Sequence, residues 1–351
     1  MSDTIQELLM QLHKRYAEGV SLPSPKETLD TDVTDLRNRL EADVRNHLRP
    51  LEMTLLKACF AAESKGLGAA RSKHVQVAMA CRYFGEARMA CASSQLSEEG
   101  RMFARSSLAA AEAYLDYRCD DFDRAQERLC ESLAADEILE TTYGHSILHV
   151  HRLHIVNNLI RVEVQRGNVE GALDLAARLL CYMQGASDDG PTPGRWGKSY
   201  RDALPRETLS AMFVQVIGEI GQALVGKKPE AARSLFAIVE GQLPEPDFAL
   251  WHPLASDWFK VKSAYVGGSM ERYLRISSDY LGNGVGVAPA LWRFVALDAV
   301  IAVDELPFPE AVELRREILR DALTWCGASA RVRCLVTDLS VALEKESTKC
   351  A

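Results

Sequence analysis

The amino-acid sequence predicts an all-α fold. Apolar residues recur at spacings of three and four through most of the chain, the pattern of a helix that keeps one side apolar. Sustained alternating runs of Val, Ile or Thr are missing, and no Asn-Gly turn is flanked by such runs, so strand signals are nearly absent. A turn pattern also recurs between helical stretches, and a repeat bears on the fold before any motif does. The pattern is clearest from Tyr143 to Gly185. There Leu148, Leu153, Val156, Leu159, Ile160 and Val164 run to a break at Gly167-Asn168, and Ala172, Leu173, Ala176, Leu179, Leu180 and Met183 run on to Gly185.

The elements follow in chain order. Residues 4–17 read as a short amphipathic helix that ends before the segment from Gly19 to Pro25, where Pro23 and Pro25 force extended backbone. Thr31 or Asp32 caps a helix carrying Val33, Leu36, Leu40, Val44 and Leu48, which Pro50 breaks or kinks. The pattern resumes through Leu51, Leu55, Leu56 and Phe60 to an expected stop at Gly66-Leu67-Gly68. Two or three Ala-, Met- and Ser-rich helices follow between Lys73 and Asp120. After residue 205, helices are expected at about 206–225, 229–241, 250–266, 269–281, 289–304 and 308–325, with a capping helix near 328–345.

The turn Asp120-Asp121-Phe122-Asp123-Arg124-Ala125 matches Gly167-Asn168-Val169-Glu170-Gly171-Ala172, and weaker echoes fall at 227–232, 268–273 and 307–312. Their last residues stand at 125, 172, 232, 273 and 312, spaced by 47, 60, 41 and 39. In the stronger turns the physics is the same: a turn-forming residue closes one helix, an acid near the start of the next favours its dipole, and a small Ala lets the pair pack. Over about residues 105–185 the chain resembles the tetratricopeptide repeat family and its looser helical-hairpin relatives. The resemblance rests on Gly167-Asn168-x-Glu170-x-Ala172 for the turn and the second helix, and on Asn158 and Leu159 in the first. It departs from the family in its spacing, longer than about 34 residues, and in carrying Asp116 or Glu163 where a bulky aromatic is usual. The expected architecture is an irregular α-solenoid of stacked antiparallel hairpins. Along the chain it divides into an N-terminal helical region (1–100), the repeat-like hairpins (101–185), an inserted loop (186–205) and C-terminal hairpins with a capping helix (206–346).

Composition narrows the function classes. The chain has 351 residues, 47% hydrophobic and 26% charged, and a net charge of -8, which argues against general binding to a phosphate backbone. The amphipathic N-terminus lacks the basic start and apolar core of a secretory signal. No apolar run approaches the roughly 18–20 residues needed to span a bilayer. Nine scattered cysteines without a C-x-x-C pair read as small buried hydrophobes in a reducing compartment, so a cytoplasmic protein is expected.

Several residue groups are candidates for chemistry. His145, His149, His151 and His154 fall within ten residues, and on one helix His145 and His149 would stand one turn apart, close enough to share a metal. Two nitrogens fall short of the about three protein ligands of a catalytic zinc, so no metal or cofactor is assigned. Gly197-Lys198-Ser199 and Gly282-Asn283-Gly284-Val285-Gly286 resemble parts of phosphate-binding loops but follow no strand. No G-x-S-x-G elbow occurs. In the resembled family the first helices line a concave groove that holds peptide backbone. That implies partner-binding roles here for His154, Asn157, Arg161 and Gln165, with Tyr114, Tyr117 and Arg118 from the preceding hairpin. The inserted loop adds Arg195, Trp196, Lys198, Tyr200 and Arg201, a cluster suited to gripping an acidic or aromatic partner or to covering the groove.

The expectation is a non-enzymatic scaffold, whether adaptor, chaperone-like factor or regulator, that binds a protein or peptide segment. The alternative is an all-helical enzyme or accessory factor that uses the segment from His145 to His154. Apolar surface at either end of the stack can support a homodimer.

Overall fold

The computed structural model describes residues 2–23, 42, 47–72, 74–204, 209, 212–213, 216–217, 220, 253–286, 289–325, 336–337 and 339–341, and among these there is no strand. The helices read near 31–48, 229–241 and 328–345 lie wholly or mostly outside the described residues, as does most of the one near 206–225. The described elements are α1 (Ser2–Ser21), α2 (Pro50–Arg71), α3 (Val77–Cys91), α4 (Glu98–Arg118), α5 (Phe122–Tyr143), α6 (Leu148–Arg166), α7 (Val169–Gln184), α8 (Lys198–Asp202), α9 (Pro253–Gly267), α10 (Met270–Gly282), α11 (Pro289–Ala302) and α12 (Pro309–Ala322). None is long and apolar enough to cross a membrane.

The chain forms two compact units, one of Met1–Thr31 with Trp251–Ala351 and the other of Asp32–Leu250. This grouping differs from a division into consecutive segments, because α1 packs on α10 and α12. In that unit Tyr16 stacks on Trp292 at 5.5 Å and its hydroxyl donates to Asp321. The Trp292 indole N–H donates to the Leu281 carbonyl. Lys262 is fully buried, bonded to Asp298 and flanked by the Trp258 and Tyr265 rings, so the charge is paired as an interior requires. Helix α1 continues past residue 17 to Ser21. Gly19 stands against the Leu281 carbonyl, where any side chain would collide.

In the unit 32–250 each helix from α2 to α7 packs on the next, and α2 also packs on α4. The core between α2, α3 and α4 is built on Leu56, Phe84, Phe103 and Leu108, with Ala62, Ala69, Ala80, Ala87 and Ala104 letting the helices approach closely. Glu52, on the first turn of α2, accepts from the Arg49 side chain and backbone and from the Ser97 N–H that precedes α4. The Arg49 guanidinium holds its carboxyl down to about 2, against the opposing effect of burial. The expected stop at Gly66–Gly68 is corrected: α2 runs on to Arg71. Gly66 serves packing, since a Cβ there would lie 2.5 Å from the Phe84 ring.

The two stronger turns have the local chemistry expected of them, whereas Ser269 and Phe308 at the turns near 268–273 and 307–312 make no side-chain cap, and the turn at 227–232 lies outside the described residues. Asp121 caps α5 by accepting from the Arg124 N–H, and Asn168 caps α7 by accepting from the Gly171 N–H. Gly144, Gly167 and Gly185 close α5, α6 and α7 in the left-handed conformation. Asp116 and Glu163 tie their hairpins together. Asp116 pairs with Arg128 at 2.6 Å, and Glu163 accepts from the Asn168 amide at 2.7 Å. The reading of the cysteines as buried is also corrected. Of the six described, Cys59 alone is buried, Cys91 and Cys181 are half-buried, and Cys81, Cys119 and Cys130 are exposed. A cysteine beside an apolar stripe has the same sequence signature as one inside it.

Candidate functional site

A small surface cavity of about 40 Å³ opens between α4 and α6, lined by Ala110, Ala113, Tyr114 and Tyr117 of α4, Leu129 of α5, and Asn158, Arg161 and Val162 of α6. On α4 the residues Ala110, Tyr114 and Tyr117 form one stripe at helical spacing, and the alanines leave room between the rings. The tyrosines lie 6.5 Å apart with their planes 29° from parallel. Three guanidinium groups surround them: Arg161 stands 5.7 Å from the Tyr117 ring, Arg71 stands 5.7 Å from the Tyr114 ring, and Arg118 donates to the Tyr114 hydroxyl and the Ser72 carbonyl. At this volume the cavity takes a side-chain tip or a peptide group, far less than the roughly 300 Å³ or more of a small-molecule pocket. Its rim offers aromatic faces and positive charge.

Tyr114, Tyr117, Arg118 and Arg161 are thus brought together as the sequence implies. His154 and Gln165 lie half-buried on the same side of α6. Asn157 does not belong there: it is fully buried, and Asn158 lines the cavity in its place. At about 100° per residue, Asn158, Arg161 and Gln165 lie within about 40° of His154 around the helix, whereas Asn157 lies about 60° off. Packing of α5 and α7 against α6 buries most of the helix, and His151, His154, Asn158, Arg161 and Gln165 keep partial exposure along one side. Asn158 was legible as a family match but not as a cavity residue, and Arg71, 43 positions from Tyr114, carries no sequence signal for the site.

The loop after α7 turns its aromatic residues inward. The Trp196 ring covers the Arg152 guanidinium at 4.1 Å and meets His149 and Tyr182 edge-on at 5.4 Å and 5.3 Å. Tyr200 stacks on His149 at 6.0 Å. Arg152, fully buried, donates to Glu140 at 2.5 Å and to the Arg195 carbonyl at 2.8 Å. Tyr182 donates to the Gly197 carbonyl, and burial pushes its hydroxyl pKa up to about 12. Arg201 donates to the Tyr182 and Ser187 carbonyls, pinning both ends of the loop. Trp196 and Tyr200 therefore hold the loop in place, whereas Arg195 and Lys198 are exposed. No loop residue lines the cavity between α4 and α6. The short helix α8 occupies residues expected to be irregular.

The histidines separate into different surroundings. Helix α6 begins at Leu148, so His145 lies in the turn before it and does not share a helix with His149. His149 Nδ1 faces Glu140 at 2.9 Å, and its Nε2 bonds the Tyr182 hydroxyl at 2.8 Å. His151 bonds Asp136 at 2.7 Å, and Asp136 also accepts from Ser106. Burial opposes charge on the His151 imidazole, but the Asp136 carboxylate outweighs it and raises the pKa. His145 instead joins Glu99 and His47, two residues far from it in sequence. Among the described residues these three form a group whose donor atoms all lie within 4.8 Å of one another. Compared with known proteins, the chain matches no family model, no curated protein and no solved structure.

Proposed function

We propose that this chain is a helical-repeat scaffold, tetratricopeptide-like over about residues 105–185, that binds an extended protein segment carrying an acidic side chain. It acts without chemistry of its own, as an adaptor, chaperone-like factor or regulator in the cytoplasm. The observation that carries the reading is the cavity between α4 and α6, which gathers Tyr114, Tyr117, Asn158 and Arg161. Consecutive packing from α2 to α7 supports a stack of hairpins, in which first helices stand side by side. The Asn158 amide both donates and accepts, matching a peptide group whatever its side chain. Arg71, Arg118 and Arg161 around two tyrosines supply a positive, aromatic rim on an otherwise acidic protein, and such a rim favours a carboxylate.

A tiled peptide array read with the full-length chain tests this. Acidic segments are expected to bind and their lysine-substituted counterparts to fail. Tyr117→Ala and Arg161→Ala should each weaken binding about tenfold, and loss of the partly exposed Arg161–Tyr117 contact should cost about 1 kcal/mol of stability or less. Asn157→Ala should lower the melting temperature instead. Binding that survives both Tyr117→Ala and Arg161→Ala would remove the cavity from the function.

A further inference from the structure

We propose that His47, Glu99 and His145 bind a divalent transition-metal ion through two imidazole nitrogens and one carboxylate oxygen. The ligands come from three places in the unit 32–250: His47 precedes α2, Glu99 lies in the first turn of α4, and His145 follows the glycine that ends α5. Glu99 Oε1 lies 2.6 Å from His145 Nε2 and 3.6 Å from His47 Nδ1, and the two imidazole rings are 4.5 Å apart. In a tetrahedral zinc site with bonds near 2.0–2.1 Å, ligand atoms are separated by about 3.3 Å. The observed separations bracket that value. Less than about 1 Å of side-chain adjustment admits the ion at the Glu99–His145 pair.

Fold and surroundings divide the work between the ligands. His145 is fully buried and fixed: its backbone N–H donates to Leu139, its carbonyl accepts from Leu148, and Phe103 meets its ring edge-on at 4.7 Å. Gly144 at φ +82° makes the turn that aims it at α4. The His47 side chain is 41% exposed, which leaves a side for the ion to enter. Two neutral imidazoles and one carboxylate give a net charge of about -1 and suit zinc, cobalt, iron or nickel better than magnesium or calcium. Three protein ligands leave at least one position on the ion for water or another ligand. A simple ion pair between Glu99 and a protonated histidine would use the same contacts, so the test must separate the two.

Chelator-stripped full-length protein is titrated with Co²⁺, followed by visible absorption, and the cobalt is then displaced with Zn²⁺. The expected result is one equivalent of cobalt with nitrogen and oxygen ligation, no thiolate charge-transfer band, and a rise in melting temperature with either metal. His47→Ala, at an exposed position, should keep the metal-free melting temperature yet lose about tenfold or more in cobalt affinity, and Glu99→Gln should do the same to the affinity. Absence of cobalt binding in the native chain overturns the proposal. So does cobalt binding unchanged in His47→Ala, or a thiolate spectrum that places the ion on cysteine.

Discussion

Glu63 offers the sharpest test of how the interior of the unit 32–250 is held together. It lies on α2, only 4% exposed, and accepts from the Ser107 hydroxyl at 2.6 Å and the Cys59 thiol at 3.3 Å. Burial raises its pKa from 4.5 to about 7, outweighing those hydrogen bonds and the charge of His151, which favour the carboxylate. A carboxyl whose folded pKa is raised contributes stability that is fully present below about 4.5 and is lost as pH rises through about 7. At 1.36 kcal/mol per pH unit, that displacement corresponds to roughly 3 kcal/mol, as an order of magnitude. Gln at this position stays neutral at every pH and keeps an acceptor for Ser107. The perturbation is therefore Glu63→Gln, assayed by urea unfolding at pH 5 and pH 8. The variant should match the native chain within about 1 kcal/mol at pH 5 and exceed it by roughly 3 kcal/mol at pH 8. His151 changes stability in the same direction, since its raised pKa loses its benefit as pH rises; the Asp136 carboxylate that chiefly raises it is present in both proteins, and only the smaller part owed to Glu63 is lost in the variant. A difference that is the same at both pH values, or a variant less stable at pH 8, would refute the assignment of a buried, proton-retaining carboxyl.

Three further outcomes follow from the packing. Gly66→Ala should destabilise by about 1–2 kcal/mol in thermal unfolding, because overpacking against Phe84 exceeds the alanine's helix preference. Gly68→Ala, where an added Cβ meets nothing within 4 Å, should instead stabilise by roughly 0.5–1 kcal/mol. Trp196→Ala removes the ring over Arg152, and limited proteolysis should then cut the segment 186–197 on the order of tenfold faster while the helices melt little earlier.

How much was legible in the sequence depended on whether the signal was local. The hairpin α6–α7 is written almost entirely in nearby residues: apolar spacing sets its two faces, Asn168 caps one helix, and Gly167 and Gly185 stop the chain. The cavity was half legible. Tyr114, Tyr117 and Arg161 follow from the resemblance to tetratricopeptide repeats, but the exchange of Asn157 for Asn158 depends on how neighbouring helices rotate α6 into the core. Gly66 shows a different limit, since a glycine that ends a helix and one that admits an aromatic ring look the same in one dimension.

The sequence by itself determined the helices, the caps between them and the absence of any long apolar span, because each depends on residues within a turn or two. Tertiary structure alone decided which distant side chains meet. Trp196 closes on Arg152 across 44 positions, α1 joins helices that begin after residue 253, and Glu99 meets His145 and His47 across 46 and 52 positions. Helical periodicity describes a face but not the partner that covers it, so these assemblies appear only once the helices are packed.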